Sequence, residues 1–116
     1  MTIRRIDGGV RMSQAVVHGN TVYLAGQVAP EPKDASVREQ TTAILARIDA
    51  LLVQAGTDKT KLLSATIWLA DMATFAEMNS VWDRWVSPGN TPARATVEAK
   101  LAGAEYKVEI AVIAAI

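Results

Sequence analysis

The last quarter of the chain, residues 90–116, is the part that most constrains the fold. It reads NTPARATVEAKLAGAEYKVEIAVIAAI, which predicts two strands, residues 93–99 and 106–116, joined by a short loop. Successive side chains of a strand alternate between its faces, and Arg94 and Glu109 fall on the more polar face of their strands. Both strands are otherwise rich in residues typical of buried positions. A buried charge is costly unless it is paired or used, so these two side chains are the first candidates for function.

A long amphipathic helix is predicted upstream. Ser36 and Glu39 form the S-x-x-E capping-box pattern, and Gly56 supplies a C-terminal stop. Apolar residues recur between them at helical spacing: Ile44, Leu45, Ile48, Leu51, Leu52 and Ala55. The other face is polar: Arg38, Gln40, Arg47, Asp49 and Gln54. We therefore expect this helix to cover a sheet or another core with one side only.

A second helix is predicted to begin near Thr74, with Thr74 and Glu77 as a capping pair, and to end at Ser87-Pro88-Gly89. Its apolar stripe consists of Phe75, Met78, Trp82 and Trp85. The other strand-like runs are residues 3–7, 14–18, 21–25 and 62–70, with a Gly19-Asn20 hairpin loop between the second and third. The order is then β-β-β-α-β-α-β-β. It predicts an α+β fold in which a mixed sheet of about six strands carries two helices packed on one face, within a single domain of residues 1–116.

Composition excludes several classes of function. The chain has 12 basic and 12 acidic residues, so no positive excess draws it to nucleic acid or to an anionic membrane. It has no cysteine and one histidine, which argues against thiolate chemistry and against a Cys- or His-rich metal site. No apolar leader or spanning segment is evident, so we expect a soluble, cytoplasmic protein without membrane or nucleic-acid partners.

Apolar strand residues outnumber what two helices can cover. They include Trp68, Val97, Val108, Ile110, Val112, Ile113 and Ile116. Two interpretations stay open from this pattern alone. One sheet face or edge is buried against another copy of the chain, or the protein is a monomer that exposes apolar surface.

Two runs near the C-terminus resemble the signatures of the RidA (YjgF-type) family, a family of reactive-intermediate deaminases. Residues 92–101, PARATVEAKL, match P-x-R-x-x-V-x-x-x-L, and residues 107–114, KVEIAVIA, match K-[IV]-E-I-x-x-I-A. Further matches are Ser13-Gln14, the run VYLAGQ at 22–27, Ala55-Gly56 and the run FAEMN at 75–79. The resemblance covers nearly the whole chain in order and is closest to the short YoaB-like branch.

This resemblance implies a chorismate-mutase-like fold and a homotrimer with three clefts between subunits. It also implies hydrolysis of reactive 2-imino or enamine acids, such as 2-iminopropanoate formed from 2-aminoacrylate, to 2-keto acids and ammonia. Neither a metal nor another cofactor is needed for that reaction in the family.

The resemblance assigns roles to two residues. Arg94 matches the arginine that binds the substrate carboxylate, a pairing that suits a guanidinium because it offers two parallel charge-assisted hydrogen bonds. Glu109 matches the glutamate proposed to position the attacking water and to act as general base. The alternatives are a surface or ion-paired Arg94, and a Glu109 that forms a salt bridge to Lys107, Lys100 or Arg94.

Gly26, Thr96 and Met12 match the substrate-binding pocket of the family. Gly26 would allow close approach of the main chain to a ligand, or would simply end a strand. Met12 stands where many relatives carry tyrosine, Ala25 where they carry a hydroxyl residue, and Thr96 where they carry cysteine. These departures change the size and polarity of the expected pocket and leave its preferred substrate side chain open. Asn79 matches a frequently polar position and is expected to be structural or to support the site.

Two other functions remain open. One is a non-catalytic trimer of the same fold that binds small carboxylates or keto acids. The other is RNA cleavage or inhibition of translation, activities ascribed to some relatives. The balanced charge and the absence of a basic strip interleaved with aromatic residues argue against the latter.

Overall fold

The computed structural model describes residues 1–116 and contains one six-stranded sheet with two α-helices. The elements are β1 (Ile3–Gly8), β2 (Ser13–His18), β3 (Thr21–Leu24), α1 (Val37–Ala55), β4 (Leu62–Leu69), α2 (Phe75–Trp85), β5 (Ala93–Glu98) and β6 (Val108–Ala115). The predicted α+β class, the element order and the number of strands are confirmed. Neither helix has the length and apolar character needed to cross a membrane.

The sheet runs in the order β1-β2-β3-β6-β4-β5. Strands β4 and β5 are parallel, and every other neighbouring pair is antiparallel. The C-terminal strand β6 is therefore inserted between β3 and β4, while β5 forms an edge. The apolar sequence of β6 suits this central position, and its alternate residues (Val108, Ile110, Val112 and Ala114) are fully or almost fully buried.

The two sides of the sheet differ. On the side that we call the helix face, Ala65, Ile67 and Leu69 of β4 join the buried residues of β6 and the apolar stripe of α1 in one core cluster. On the other side, called the open face, the intervening residues of β6 are only half-buried. Tyr23 of β3 and Val97 of β5 expose nearly half of their surface there. Both helices lie on the helix face, as predicted.

Helix α1 begins and ends where its sequence indicates. The Ser36 hydroxyl accepts a hydrogen bond from the Glu39 amide at 3.1 Å, and the Glu39 carboxylate accepts one from the Ser36 amide at 3.3 Å. The C-terminal Gly56 has φ 87, a conformation that favours glycine. The predicted polar face needs one correction, because Gln40 is buried. Its amide donates to the carbonyls of Ala35 and Glu105 and accepts from the Lys107 amide.

Three local predictions are wrong. Thr74 makes no side-chain cap on α2, because its hydroxyl donates to the Asp71 carbonyl and Glu77 accepts instead from the Arg38 amide. Phe75, expected in the apolar stripe, remains 40% exposed. Strand β5 is not a buried strand, since none of its six residues is buried. An edge strand has a neighbour on one side only, so its small side chains stay accessible in the single chain.

Candidate functional site

Arg94 lies on the helix face of the edge strand β5, opposite Ala65 of β4. Its Nη1 donates to Oδ1 of Asn79 on α2 at 2.8 Å. The guanidinium carbon lies 5.3 Å from the ring centroid of Trp82 and 5.8 Å from that of Phe75. Helix α2 thus supplies an amide and two aromatic faces that hold the guanidinium in place.

The positive charge of Arg94 is only partly shielded from water and is not neutralised by a hydrogen-bonded acid. Burial lowers the pKa of its guanidinium, and the attraction of Asp83 acts in the opposite direction. The side-chain hydrogen bond of Arg94 goes to the neutral amide of Asn79. A guanidinium has five N–H donors, so this bond leaves Nε and Nη2 able to form a two-point contact with a carboxylate.

Thr96 is two residues further along the same face of β5, opposite Ile67 of β4. Its hydroxyl oxygen is buried and has no hydrogen-bond partner. An unpartnered buried hydroxyl is unusual and costs stability. Arg94 and Thr96 therefore form one half of the predicted site, on the helix face of the sheet.

Glu109 faces the opposite way. It is paired with Trp68 of β4 and lies between the buried residues Val108 and Ile110 of β6. Because side chains alternate along a strand, it lies on the open face. Its carboxylate rests against the main chain of Gly26: a methyl group added to Gly26 would meet Oε2 at 2.0 Å and Cδ at 2.9 Å. Glycine allows this approach, and a larger residue there would displace the Glu109 side chain.

Gly26 belongs to an irregular segment, residues 25–27, that follows β3. The segment is held against β6 by a two-way backbone pair between Gln27 and Ile110. Met12 immediately precedes β2 and is 47% exposed. Since the Ala25 amide donates to the Gln14 carbonyl at 2.9 Å, Met12 lies at the same end of the sheet as this segment. Glu109 and Gly26 make up the second half of the predicted site, with Met12 towards its outer end.

The fold therefore separates the predicted residues into two groups within one chain. Arg94 and Thr96 share the helix face at the sheet edge, whereas Glu109 and Gly26 meet on the open face two strands away. None of the three ion pairs considered for Glu109 is formed, since no Lys or Arg nitrogen lies within 4.0 Å of its carboxylate. Arg94 bonds to Asn79, and the Lys107 ammonium donates to the carbonyls of Asp34 and Ala35 at 3.2 and 2.9 Å.

The cavities of the single chain lie elsewhere. The largest, about 590 Å³, is bordered by Ala70 and by the loop between β5 and β6. None of the four cavities is lined by Arg94, Thr96, Glu109, Gly26 or Met12. No group of three or more His, Cys, Asp or Glu side chains is placed to hold a metal ion. The predicted site residues therefore do not line an enclosed pocket in the single chain.

Sequence reasoning missed two supporting groups. The sequence places Phe75 and Trp82 in an apolar stripe, which is confirmed for the buried Trp82, but it does not indicate that both rings stand beside the Arg94 guanidinium. Gln27 is 1% exposed and links Gln14 to Arg47 through its side-chain amide. The only sequence signal for Gln27 was its place in the run VYLAGQ, which gives no indication of these partners.

Comparison with known proteins gives matches over the whole chain. Residues 2–116 match the protein family described as Endoribonuclease L-PSP. The RutC family protein YoaB of Escherichia coli (strain K12) is 50% identical over 116 residues, all of both chains. A crystal structure of a YjgF family member from Neisseria meningitidis superposes with a TM-score of 0.95 at 45% identity, covering 99% of this chain and 95% of that one. The Rid family protein YyfA of Yersinia pestis has a TM-score of 0.86 at 31% identity, covering 94% and 90%.

Proposed function

Because this chain belongs to the RidA/YjgF/L-PSP family, whose members are also named RutC family proteins, we propose that it hydrolyses small 2-imino acids to 2-keto acids and ammonia. The observation that carries the proposal is the Arg94 guanidinium. It is held in a fixed position by Asn79 and two aromatic rings, with no hydrogen-bonded carboxylate of the protein to neutralise it. Such a group is suited to the carboxylate of a small anionic substrate.

The active assembly that we propose is a homotrimer whose clefts combine the two groups from different subunits. In a 2-imino acid the carboxylate is bonded directly to the imine carbon, so its anchor and the water-positioning group must lie close together. In one chain Arg94 and Glu109 point to opposite faces, and β4 lies between their strands. Two strand spacings alone amount to about 10 Å. Arg94 of one subunit and Glu109 of a neighbouring subunit would meet that requirement.

The proposed reaction needs little from the protein beyond positioning. Arg94 binds the carboxylate and fixes the imine carbon. Glu109 takes a proton from a water molecule while the oxygen of that water bonds to the carbon of the protonated imine, which gives an amino alcohol. Glu109 returns this proton to the nitrogen. The carbon–nitrogen bond then breaks as the hydroxyl gives up its proton to Glu109, so that the carbonyl forms and ammonia leaves. A protonated imine is already a strong electrophile, so orientation supplies most of the acceleration.

The first test is turnover. 2-Iminopropanoate is generated in place by an amino-acid oxidase, and semicarbazide traps the imine that survives. We expect the wild-type protein to lower the trapped fraction and Arg94→Ala to behave like buffer. If the wild type is inactive on small and bulky imines alike, the proposal fails. A thermal shift with keto acids that Arg94→Ala abolishes would then identify a non-catalytic binding trimer.

The second test asks whether the site is shared between chains. Arg94→Ala and Glu109→Ala chains, each inactive alone, are refolded together in equal amounts. In a cyclic trimer every mixed assembly contains one cleft with both residues intact, so we expect about a quarter of the wild-type activity to return. Mixing Arg94→Ala with the double variant Arg94→Ala/Glu109→Ala creates no intact cleft and is the control. Lack of recovery in the first mixture would overturn the shared cleft.

RNA cleavage is the alternative that the family description raises. We place it second because 12 basic and 12 acidic residues leave no net positive charge to attract a phosphate backbone. Incubation of the protein with single-stranded RNA tests it directly, and cleavage that survives in the Arg94→Ala and Glu109→Ala variants would establish an activity separate from the proposed site.

A further inference from the structure

The irregular segment 25–27 has to keep a fixed position, because Gly26 lies against the Glu109 carboxylate. The distance available beyond the Gly26 α-carbon is so short that an added methyl would meet three side-chain atoms of Glu109 within 3.1 Å. A shift of this segment would therefore move the carboxylate or release it. No helix or strand includes residues 25–27, so their position depends on the groups that hold them.

Gln27 provides that hold from two directions. Its backbone amide donates to the Ile110 carbonyl at 2.8 Å, and its carbonyl accepts from the Ile110 amide at 3.1 Å. Ile110 is the residue that follows Glu109 on β6. The backbone of Gln27 is thus paired one residue away from the side chain that the segment contacts.

The Gln27 side chain completes the arrangement. Nε2 donates to the Ala25 carbonyl and to Oε1 of Gln14, both at 3.0 Å, and Oε1 accepts from Nε of Arg47 at 3.1 Å. Both amide donors and the carbonyl are used, and the residue is 1% exposed. These bonds join the segment to β2 and to helix α1.

We propose that Gln27 is a positioning residue that fixes the Gly26 main chain and, through it, the Glu109 carboxylate. The expected effect of Gln27 on kcat rests on the proposed function. Its expected effect on the position of Glu109 does not. A buried glutamine that only fills the core would affect stability alone. A glutamine that positions Glu109 affects the chemical step more than substrate binding, because the substrate carboxylate is bound by Arg94, and none of the side-chain hydrogen bonds of Gln27 goes to Arg94.

The test replaces Gln27 by methionine, which keeps the length of the side chain and removes all three hydrogen bonds. We expect kcat to fall by about tenfold or more while KM stays within about twofold. Arg47→Met removes one of the three bonds and should lower kcat less. Gln54→Met, on the exposed side of α1, is the matched control and should change neither constant.

A readout independent of activity separates this inference from the proposed function. The carboxyl carbon of Glu109, assigned by its loss in Glu109→Gln, is followed by NMR in each variant. Gln27→Met should shift and broaden that resonance, whereas Gln54→Met should not, even if no imine proves to be a substrate. If Gln27→Met lowers only the melting temperature and leaves the Glu109 resonance and kcat as in the control, Gln27 is a core residue and the inference is wrong. Should Gln27→Met not fold, Gln27→Glu, which also loses both donors, is judged by the same criteria.

Discussion

Arg94 and Glu109 are held by different kinds of contact. Arg94 projects from an edge strand and is fixed by side chains of a neighbouring helix, namely Asn79, Trp82 and Phe75. Glu109 projects from a central strand and rests on the main chain of Gly26. The side chains around Arg94 can adjust to a substitution by rotation, whereas the backbone beside Gly26 is paired with β6, so any adjustment there falls on the Glu109 side chain itself. The Arg94 region should therefore tolerate change in its surroundings better than the Glu109 region does.

The largest effect is expected from removing the anchor itself. Arg94→Ala should lower kcat/KM by about a thousandfold, because the substrate carboxylate loses a charged two-point partner in a partly desolvated place. Steady-state kinetics on 2-iminopropanoate measure this. Arg84→Ala removes an exposed arginine from the last turn of α2 and serves as the control. Equal losses in both variants would mean that general charge, not the Arg94 site, attracts the substrate.

Gly26→Ala is the sharpest test of the Glu109 region. The new methyl would lie 2.0 Å from Oε2 of Glu109, so the carboxylate must move, and we expect kcat to fall by about a hundredfold. Gly9→Ala is the control, since its added methyl meets nothing closer than 3.6 Å. Thermal unfolding should also show coupling: Gly26→Ala should destabilise the wild type but not a Glu109→Ala background. Full activity in Gly26→Ala would contradict the proposed role of this contact.

Asn79→Ala should have a smaller effect, and it tests how well the Arg94 region tolerates a change in its surroundings. The guanidinium loses one hydrogen bond but keeps the two aromatic faces, so we expect KM to rise by about tenfold with kcat nearly unchanged. Asn90→Ala, which changes an exposed loop residue, is the control. A fall in kcat as large as that of Gly26→Ala would remove the distinction between the two regions.

The smallest effect is expected from Thr96→Val. The substitution replaces an unpartnered buried hydroxyl by a methyl of similar size, so stability should rise by about 0.5–1 kcal/mol. Thr57→Val is the opposite case, because the Thr57 hydroxyl donates a hydrogen bond to the Ala115 carbonyl at 2.6 Å. Losing this bond should lower the free energy of unfolding by about 1 kcal/mol. Denaturant unfolding compares the two. A loss of stability in Thr96→Val would show that its hydroxyl has a partner in the assembled protein.

The elements of the fold were predictable because their signals are local. The capping box of Ser36 and Glu39, the Gly56 stop and the alternation in β6 each depend on residues near one another in sequence. Gln40 was misplaced on the polar face because two of its partners, the Glu105 carbonyl and the Lys107 amide, are more than 60 residues away. No helical periodicity contains that information.

For the candidate site, the sequence predicts individual residues but not how they are arranged. Alternation along each strand gives the faces of Arg94 and Glu109 relative to their own neighbours. It does not say which face of β5 adjoins which face of β6, since that depends on pairing through β4. The Glu77 error has the same origin, because its carboxylate bonds to the Arg38 amide at the start of the other helix. Contacts between distant segments decided each of these cases.

The opposite orientation of Arg94 and Glu109 has a consequence for how activity depends on the amount of protein. Under the proposed mechanism, a newly synthesised chain is fully folded and carries both residues, yet it has no working site. Specific activity should then decline on dilution, as assemblies dissociate, without any unfolding. A cell that makes little of this protein would lose its activity faster than it loses the protein itself.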